Sequence, residues 1–237
     1  MIINTTYRTQ ETEIMDDFFL EGKELQEALD KIASINRLLG GNKLTLHGLK
    51  ILLKKSDATK TIRIADIGCG NGDMLRMLAD YGKKNNLNLK LIGIDANAFT
   101  INYAQKLSTA YPNIEYRCVD IFSPEFSVLK YDIILCTLTL HHFSNEQILN
   151  IMTTFNNNAN IGIVINDLHR SKLAYRLFEK ICTIFKLNKM SREDGLISIL
   201  RGFKKKELEN FSKKLDLKNY TINWKWAFRY QWIIAKK

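Results

Sequence analysis

The feature that most constrains the fold is a strand-like run that ends in three alternating glycines and continues as a helix. Residues 64–67 are apolar except for Asp66, as in a buried parallel strand. Gly68, Gly70 and Gly72 then interrupt the run. Glycine permits positive φ and lets a ligand approach the backbone closely, and the free N–H groups at the start of a helix favour an anionic group. The stretch predicts a strand–turn–helix unit that binds a ligand.

Two common nucleotide-binding signatures do not fit this turn. The dinucleotide fingerprint Gly-x-Gly-x-x-Gly needs a third glycine at position 73, which is Asp73. The phosphate-binding loop needs Gly-Lys-Ser/Thr at the start of the helix, and that sequence is missing there. The alternative to a ligand-binding turn is a tight turn that binds nothing. The neighbouring strands help to decide between the two.

Two further strand-like runs each end in an acid. Residues 89–94 lead into Asp95, and residues 114–119 lead into Asp120. The carboxyl ends of parallel strands share one edge of the sheet, where open α/β sheets bind ligands. An acid about 20 positions beyond the glycine turn is placed to bind a ribose diol. The three strands therefore favour a nucleoside-containing ligand over an empty turn.

This pattern resembles the class I S-adenosylmethionine-dependent methyltransferases over about residues 60–167. Their first motif, acidic-x-Gly-x-Gly-x-Gly, is filled here by Asp66 and the three glycines. The resemblance implies S-adenosyl-L-methionine as the cofactor. It also implies a set of cofactor-binding residues: Asp66, Gly68, Cys69, Gly70, Asp95, Ala96, Asp120, Ile121, Cys136, Thr137 and, as a cation near the methionine carboxylate, Arg37.

The predicted fold is α/β, with a Rossmann-like, seven-stranded, mostly parallel sheet. Strands and helices alternate from residue 62 to about 167, which indicates parallel strands with right-handed crossovers. The resemblance implies that the β-prone runs 220–226 and 228–234 form an antiparallel C-terminal hairpin. We expect one methyltransferase domain over 1–237. Its parts are a helical N-terminal extension or lid (1–60), a cofactor-binding half (61–167), and a substrate cover with the last strands (168–237).

The composition and charge of the chain limit the kinds of partner and compartment that we expect. The formal net charge is +10, but the lysines form only short runs, such as Lys204–Lys206, so nucleic acid is an unlikely partner on this pattern. The four cysteines show no paired spacing, which favours buried free thiols over disulfides or a zinc site. The start has no signal-peptide pattern and no apolar run approaches ~20 residues. We therefore expect a cytoplasmic monomer or dimer without a membrane span.

Methyl transfer from a sulfonium is an in-line displacement, so alignment of the reacting atoms supplies roughly 7–11 kcal/mol. A phenol has a pKa near 10, and a base would add ~10²–10⁴-fold. His169 and His142 are the candidate catalytic residues, since both follow strands at the binding edge, whereas His47 is expected to be structural.

Adjacent residues usually point apart, so at most one of His141 and His142 would face the site. Adjacent histidines also lack chelate spacing, so no metal site with Asp167 is predicted.

Short motifs outside the cofactor half are similar to methyltransferases associated with type III polyketide synthases. They are residues 166–170, residues 194–203, Met15-Asp16-Asp17 and Ile35-Asn36-Arg37. This likeness implies a small aromatic, phenolic or quinone-like acceptor, methylated on oxygen. Side chains of the cover would suit such an acceptor or serve as core: Tyr175, Phe178, Phe185, Ile197 and Phe203. An RNA or protein methyltransferase, or a cofactor-binding protein without catalysis, are the alternatives.

Overall fold

The computed structural model describes residues 3–54 and 60–236. Predictions from the sequence that concern residues 1–2, 55–59 and 237 lie outside the described ranges. The helices are α1 Lys23–Leu38, α2 Gly41–Leu53, α3 Asp73–Lys84, α4 Ala98–Leu107, α5 Pro124–Ser127, α6 Asn145–Asn158, α7 Lys172–Ile184, α8 Lys189–Arg201 and α9 Lys205–Lys214. Two short 3₁₀ helices span Ile14–Asp16 and Leu140–His142.

The seven strands of the described chain form one sheet in the order β3-β2-β1-β4-β5-β7-β6. They are β1 Ile62–Ile67, β2 Leu89–Asp95, β3 Ile114–Cys118, β4 Tyr131–Thr137, β5 Ala159–Leu168, β6 Tyr220–Lys225 and β7 Arg229–Ala235. The first five pair in parallel, and β7 pairs antiparallel with both β5 and β6. This confirms the predicted mixed sheet. The strand order reverses between β1 and β4, and ligands of such sheets bind at that point.

The sheet is covered on both faces, as parallel sheets require. Side chains of α5, α6 and α9 pack on one face, and side chains of α2, α3 and α4 pack on the other. Helix α6 begins with the predicted capping box, in which Ser144 accepts from the Gln147 backbone and Gln147 accepts from the Ser144 backbone. Such caps fix the start of a helix and thus the length of the loop that precedes it.

The structure corrects one detail of the sequence interpretation. Cys118 is exposed, whereas the other three cysteines are buried, and all four are free. Of the two roles that the sequence left open for Phe203, the structure shows the core role, since the side chain is fully buried. Gly40, at φ 78°, makes the left-handed turn after α1, and Gly41 is the first residue of α2. None of the helices in the described ranges has both the length and the apolar character needed to cross a membrane.

Candidate functional site

The glycine turn follows β1 and has the backbone shape that its sequence predicts. Gly68, Gly70 and Gly72 have φ values of 66°, 51° and 77°, in the region that favours glycine. A Cβ on Gly68 would lie 2.3 Å from Thr139 Oγ1, so the next loop also excludes a side chain there. The Gly70 N–H donates to Asp95 Oδ2 at 3.2 Å. The turn is thus tied directly to the acid at the end of β2.

Three carboxyl groups surround this turn without a basic partner. Asp66 is only 3% exposed, and burial, followed by the charges of Asp73 and Asp95, raises its pKa well above the usual range. Burial raises the pKa of Asp95 as well. Within residues 3–54 and 60–236, none of the three forms an ion pair. A ligand with positive charge would relieve this arrangement, and S-adenosylmethionine carries a sulfonium and an ammonium group. The residues therefore fit the cofactor.

The adenosine side of the predicted site lies at the ends of β2 and β3. The Ala96 carbonyl accepts from the Cys118 thiol at 3.4 Å, which joins the two strand ends. Asp120 is exposed, and its Oδ1 accepts from the Phe122 backbone at 2.9 Å. Ile121 beside it is half-buried. In the bound state Asp95 would hold the ribose hydroxyls and the loop at Asp120 would face the adenine.

The other predicted cofactor residues occupy the ends of β1 and β4. Cys69 and Cys136 are buried. The Thr137 hydroxyl lies 2.9 Å from the Thr45 hydroxyl on α2, so α2 reaches the end of β4. Arg37 is exposed near the end of α1. These positions extend the site from the glycine turn toward the N-terminal helices.

The N-terminal extension contacts the same edge of the sheet. Asn71 donates to Asp30 Oδ1 at 3.0 Å, and the Tyr103 hydroxyl donates to Asp30 Oδ2 at 2.8 Å. Asn97, which follows β2, donates to the Leu20 carbonyl at 2.7 Å. Helix α1 and the segment before it therefore lie over the glycine turn.

A second polar group lies beside the first, after β4, and we call it the histidine–carboxylate cluster: Glu13, Asp16, His141, His142, Asp167 and Arg201. His142 Nδ1 lies 2.6 Å from Asp16 Oδ1, and His141 Nδ1 lies 2.7 Å from Asp167 Oδ1. The imidazole rings lie side by side, with centroids 4.3 Å apart. The expectation that adjacent histidines point apart was wrong, because residues 140–142 form a 3₁₀ helix and not a strand.

Arg201 holds the backbone of this cluster in place. Its Nε donates to the His141 carbonyl at 3.2 Å, and Nη2 donates to the His142 carbonyl. Its Nη1 lies 2.6 Å from Asp16 Oδ2. Arg8 adds donors to the carbonyls of Arg201 and His141, each at 2.7 Å. The two arginines thus orient the histidine loop by its main chain.

Helix α8 fixes the N-terminal 3₁₀ helix against the cluster. Asp194 accepts from the backbone N–H groups of Ile14 and Met15 at 2.7 and 3.0 Å. The Ser198 hydroxyl donates to Glu13 Oε2 at 2.7 Å. The motifs that the sequence shows separately, near residues 15, 167 and 194–201, therefore form one group in space.

The pKa values of the carboxyl groups in the cluster are shifted in opposite directions. Burial raises the pKa of Glu13 to about 7. Burial alone would raise the pKa of Asp16 too, but the hydrogen bonds and charges of His142 and Arg201 outweigh it and hold that pKa below its usual range. Burial acts to raise the pKa of Asp167 as well, but the charge and the hydrogen bond of His141 outweigh it and lower that pKa. Asp16 and Asp167 are therefore carboxylates that orient the two imidazoles.

The cluster and Asp95 lie at the same edge of the sheet, because His142 follows β4 and Asp95 ends β2. Burial is the main influence on Asp95 and raises its pKa, but the backbone N–H groups of Asn97 and Gly70 and the charge of His142 act in the opposite direction. His142 thus stays a candidate base at the edge where the cofactor acids lie.

The support for a metal site among these side chains is weaker than the support for hydrogen-bonded histidines. Ligand atoms of Glu13, His141 and His142 all lie within 4.8 Å of one another, so Glu13 takes the place that the sequence interpretation gave to Asp167. Arg201 Nη1, however, lies 3.8 Å from Glu13 Oε1, and a cation there would be repelled. The arginine therefore argues against a metal ion at this place.

His169, the other candidate base, packs against the C-terminal hairpin. Its Nδ1 accepts from the Trp224 indole N–H at 3.1 Å, and its ring contacts those of Phe228 and Tyr230. Burial, followed by the charges of Lys204 and Arg170, lowers its pKa. His169 stays a prediction, with one ring nitrogen already used.

Sequence reasoning missed Glu13 and the pairing of Asp16 with His142. The two members of that pair are 126 positions apart in the chain. The motif around Met15 marked the segment, but no local pattern showed what it would contact. Glu13 lies in none of the motifs that the sequence analysis used.

Comparison with known proteins gives a family. A family profile described as a methyltransferase domain matches residues 58–231. No curated protein matches the chain. Among solved structures, the plantazolicin methyltransferase BpumL in complex with SAH (S-adenosylhomocysteine) is 20% identical, with a TM-score of 0.64 over 88% of this chain and 89% of that one.

Two further solved structures share the fold. Magnesium protoporphyrin IX methyltransferase (ChlM) from Synechocystis PCC 6803 with bound SAH is 16% identical, with a TM-score of 0.54 over 83% of this chain and 84% of that one. The CurJ carbon methyltransferase is 15% identical, with a TM-score of 0.60 over 81% and 53%. Since the family profile covers most of the chain and the glycine turn with its acids suits the cofactor, the protein belongs to the methyltransferase domain family and is a class I S-adenosylmethionine-dependent methyltransferase.

Proposed function

We propose that the protein transfers the methyl group of S-adenosylmethionine to a hydroxyl oxygen of a small aromatic, phenolic or quinone-like acceptor. The observation that carries this proposal is the Asp16–His142 pair, which follows β4 at the same edge of the sheet as Asp95. Such a pair is the usual arrangement for removing a proton from a weakly acidic hydroxyl. Two structural neighbours are named for plantazolicin and magnesium protoporphyrin IX, and neither name refers to a nucleic acid.

When bound, the cofactor supplies an electrophilic methyl group on a sulfonium. The protein's part begins with position, since alignment of acceptor oxygen, methyl and sulfur is worth roughly 7–11 kcal/mol. The glycine turn, Asp66 and Asp95 would hold the cofactor. The acceptor then approaches from the side of the histidine–carboxylate cluster, at the ends of β4 and β5.

His142 removes the acceptor proton in this account. Its Nδ1–H donates to Asp16, which leaves Nε2 as the basic nitrogen, and the carboxylate stabilises the imidazolium that forms. Arg201 keeps Asp16 ionised, because its guanidinium lies 2.6 Å from Oδ2. The acceptor hydroxyl loses its proton to Nε2 as its oxygen gains the methyl group.

The test is methyl transfer from labelled S-adenosylmethionine to a panel of phenols and hydroquinones. We expect His142→Gln to lower turnover by roughly 10²–10⁴-fold and to leave the affinity for SAH within a few-fold of the wild-type value. His47→Gln, on the exposed surface of α2, is the matched control and should keep full turnover. Wild-type turnover by folded His142→Gln would remove His142 as the base.

The net charge of +10 favours one other candidate function, methylation of RNA. The exposed lysines of α9 would supply the phosphate contacts: Lys205, Lys206, Lys213 and Lys214. Phosphate contacts release counterions, so turnover of RNA would fall steeply with salt. Turnover of a phenol that does not depend on salt would argue against this function.

A further inference from the structure

Arg229 is a buried cation that forms no ion pair with any of the residues in the described ranges. It begins β7, it is only 3% exposed, and its Nε and Nη1 have no hydrogen-bond partner in the part of the chain that the structure describes. Burial lowers its pKa to about 10, so the side chain stays charged at neutral pH. Buried charges are normally paired, since an unpaired one is strongly destabilising. The arrangement calls for an anion that the described residues do not supply.

The carboxylate nearest to it in electrostatic terms is already in use. Among the described residues, the charge of Asp167 acts to raise the pKa of Arg229. Asp167 Oδ1, however, lies 2.7 Å from His141 Nδ1 and also accepts from the Leu168 N–H at 2.7 Å. Its Oδ2 accepts from the His141 N–H at 3.2 Å. No ion pair between Asp167 and Arg229 forms among the described residues.

One unpaired acceptor, on Asn36, lies close to the Arg229 guanidinium, and a second, on Asn166, belongs to the neighbouring strand β5. The Oδ1 atoms of Asn36 and Asn166 are buried and have no donor within the described ranges. The amide nitrogen of Asn166 is used, since it donates to the Gly41 carbonyl and the Thr45 hydroxyl at 3.0 and 2.9 Å. Its oxygen therefore remains for a group that donates a proton. A cation and two acceptors that are left over in this way match a ligand that carries both an anion and a donor.

The absence of a side chain at Gly41 lets Asn36 and Arg229 come together. A Cβ on Gly41 would lie 3.1 Å from the Arg229 guanidinium carbon and 1.8 Å from Asn36 Oδ1. Both side chains thus extend across a backbone position that has no side chain. Arg229 is also paired in register with Leu168 at the carboxyl end of β5, the edge at which such sheets bind ligands.

We propose that Arg229 binds a carboxylate of a ligand, while Asn36 and Asn166 accept from an N–H or O–H group next to it. Two ligands of the reaction offer this chemistry. One is the amino-acid end of the cofactor, and the other is an acceptor that carries a carboxylate beside a hydroxyl. The acceptor case rests on the proposed function. Arg37, the cation that the sequence suggests, is exposed and lies outside this group.

Calorimetry with paired probes tests the proposal and identifies the source. For the cofactor, S-adenosylhomocysteine is compared with its decarboxylated analogue. For the acceptor, 2-hydroxybenzoate is compared with its neutral methyl ester, on protein saturated with S-adenosylhomocysteine. We expect the wild type to prefer the carboxylate of one pair by roughly 10- to 150-fold, as for charged hydrogen bonds. Arg229→Met should abolish that preference, whereas the matched control Arg63→Met, at an exposed arginine of β1, should retain it.

The outcomes separate cleanly. Loss of preference in the first pair assigns Arg229 to the cofactor, and loss in the second assigns it to the acceptor. Equal binding of charged and neutral probes by the wild type means that only water occupies the place, and it overturns the proposal. So does a preference that survives in folded Arg229→Met. Should that variant not fold, Asn36→Asp supplies an internal carboxylate and is expected to remove the same preference. These are binding measurements, so they stand even if His142 is not the base.

Discussion

Asp66 is a carboxyl group that the fold buries beside two other acids. Its raised pKa follows from burial first and from the charges of Asp73 and Asp95 second. The cost of ionising Asp66 falls when a cation lies next to it, because an opposite charge favours the charged form. Cofactor binding and proton release are therefore coupled at this residue.

The coupling has a sign that can be measured. In the free protein, Asp66 keeps its proton to a higher pH than an ordinary aspartate. Binding of the cationic cofactor favours the carboxylate, so it should release a proton at pH values between the lower pKa of the complex and the raised pKa of the free protein. Affinity should then increase with pH by up to about one decade per pH unit and level off above that pKa. Titration calorimetry in buffers of different ionisation enthalpy counts the protons, and Asp66→Asn should release none through this position.

Gly68 and Gly70 share a positive φ but differ in their surroundings. A Cβ on Gly68 would overlap Thr139 Oγ1 at 2.3 Å, whereas one on Gly70 would only touch Leu29 at 3.7 Å. Both alanine variants carry the backbone penalty of about 1–2 kcal/mol. Gly68→Ala should lose at least about 1 kcal/mol more in free energy of unfolding, since overpacking costs typically that much. Equal losses in urea unfolding would show that the Thr139 loop yields without cost.

At the scale of elements, the site depends on an N-terminal segment held by α8. The 3₁₀ helix Ile14–Asp16 has no buried residues of its own, so contacts from outside must position it. Asp194 provides two of them, to the N–H groups of Ile14 and Met15. This segment brings Asp16 to His142, so α8 acts on the proposed base through the segment as well as through the Arg201 contact to the His142 carbonyl.

Removal of Asp194 should release that segment. We expect Asp194→Ala to cost about 1–3 kcal/mol in free energy of unfolding, because two backbone donors lose their acceptors. Amide hydrogen exchange at residues 14–16 should accelerate more than exchange in the central strands. Glu193→Ala, next to it but on the surface, is the matched control and should stay within about 0.5 kcal/mol. Unchanged exchange at residues 14–16 in Asp194→Ala would mean that Arg201 and Ser198 suffice.

Much of the architecture was predictable because its signals are local. Glycines at strand ends, acids after strands and the Ser144–Gln147 cap each act within a few residues, and the structure confirms the sheet and the cap that they predict. The histidine–carboxylate cluster was only partly predictable, since Asp16 and His142 meet through folding of distant segments. Arg229 reads as an ordinary hairpin residue in the sequence, and only its burial distinguishes it.

For the whole molecule, the sheet brings the functional groups to one edge. Strand order reverses between β1 and β4, so the glycine turn and the histidine loop become neighbours across that point. The cofactor acids lie on one side of it and the proposed base and Arg229 lie on the other. One mixed sheet thus brings both halves of the proposed methyl-transfer site to the same edge. The organisation of the chain as a single domain stays a prediction.

The most direct test of this account is a calorimetric titration of S-adenosylmethionine and S-adenosylhomocysteine, with NAD for comparison, into wild type and Asp95→Ala. We predict that both sulfur compounds bind with a Kd on the order of micromolar and that NAD does not bind. Asp95→Ala should weaken both by roughly 30- to 1,000-fold, because the ribose loses two charge-assisted hydrogen bonds. Failure of either compound to bind the wild type, or undiminished affinity in folded Asp95→Ala, would contradict the account.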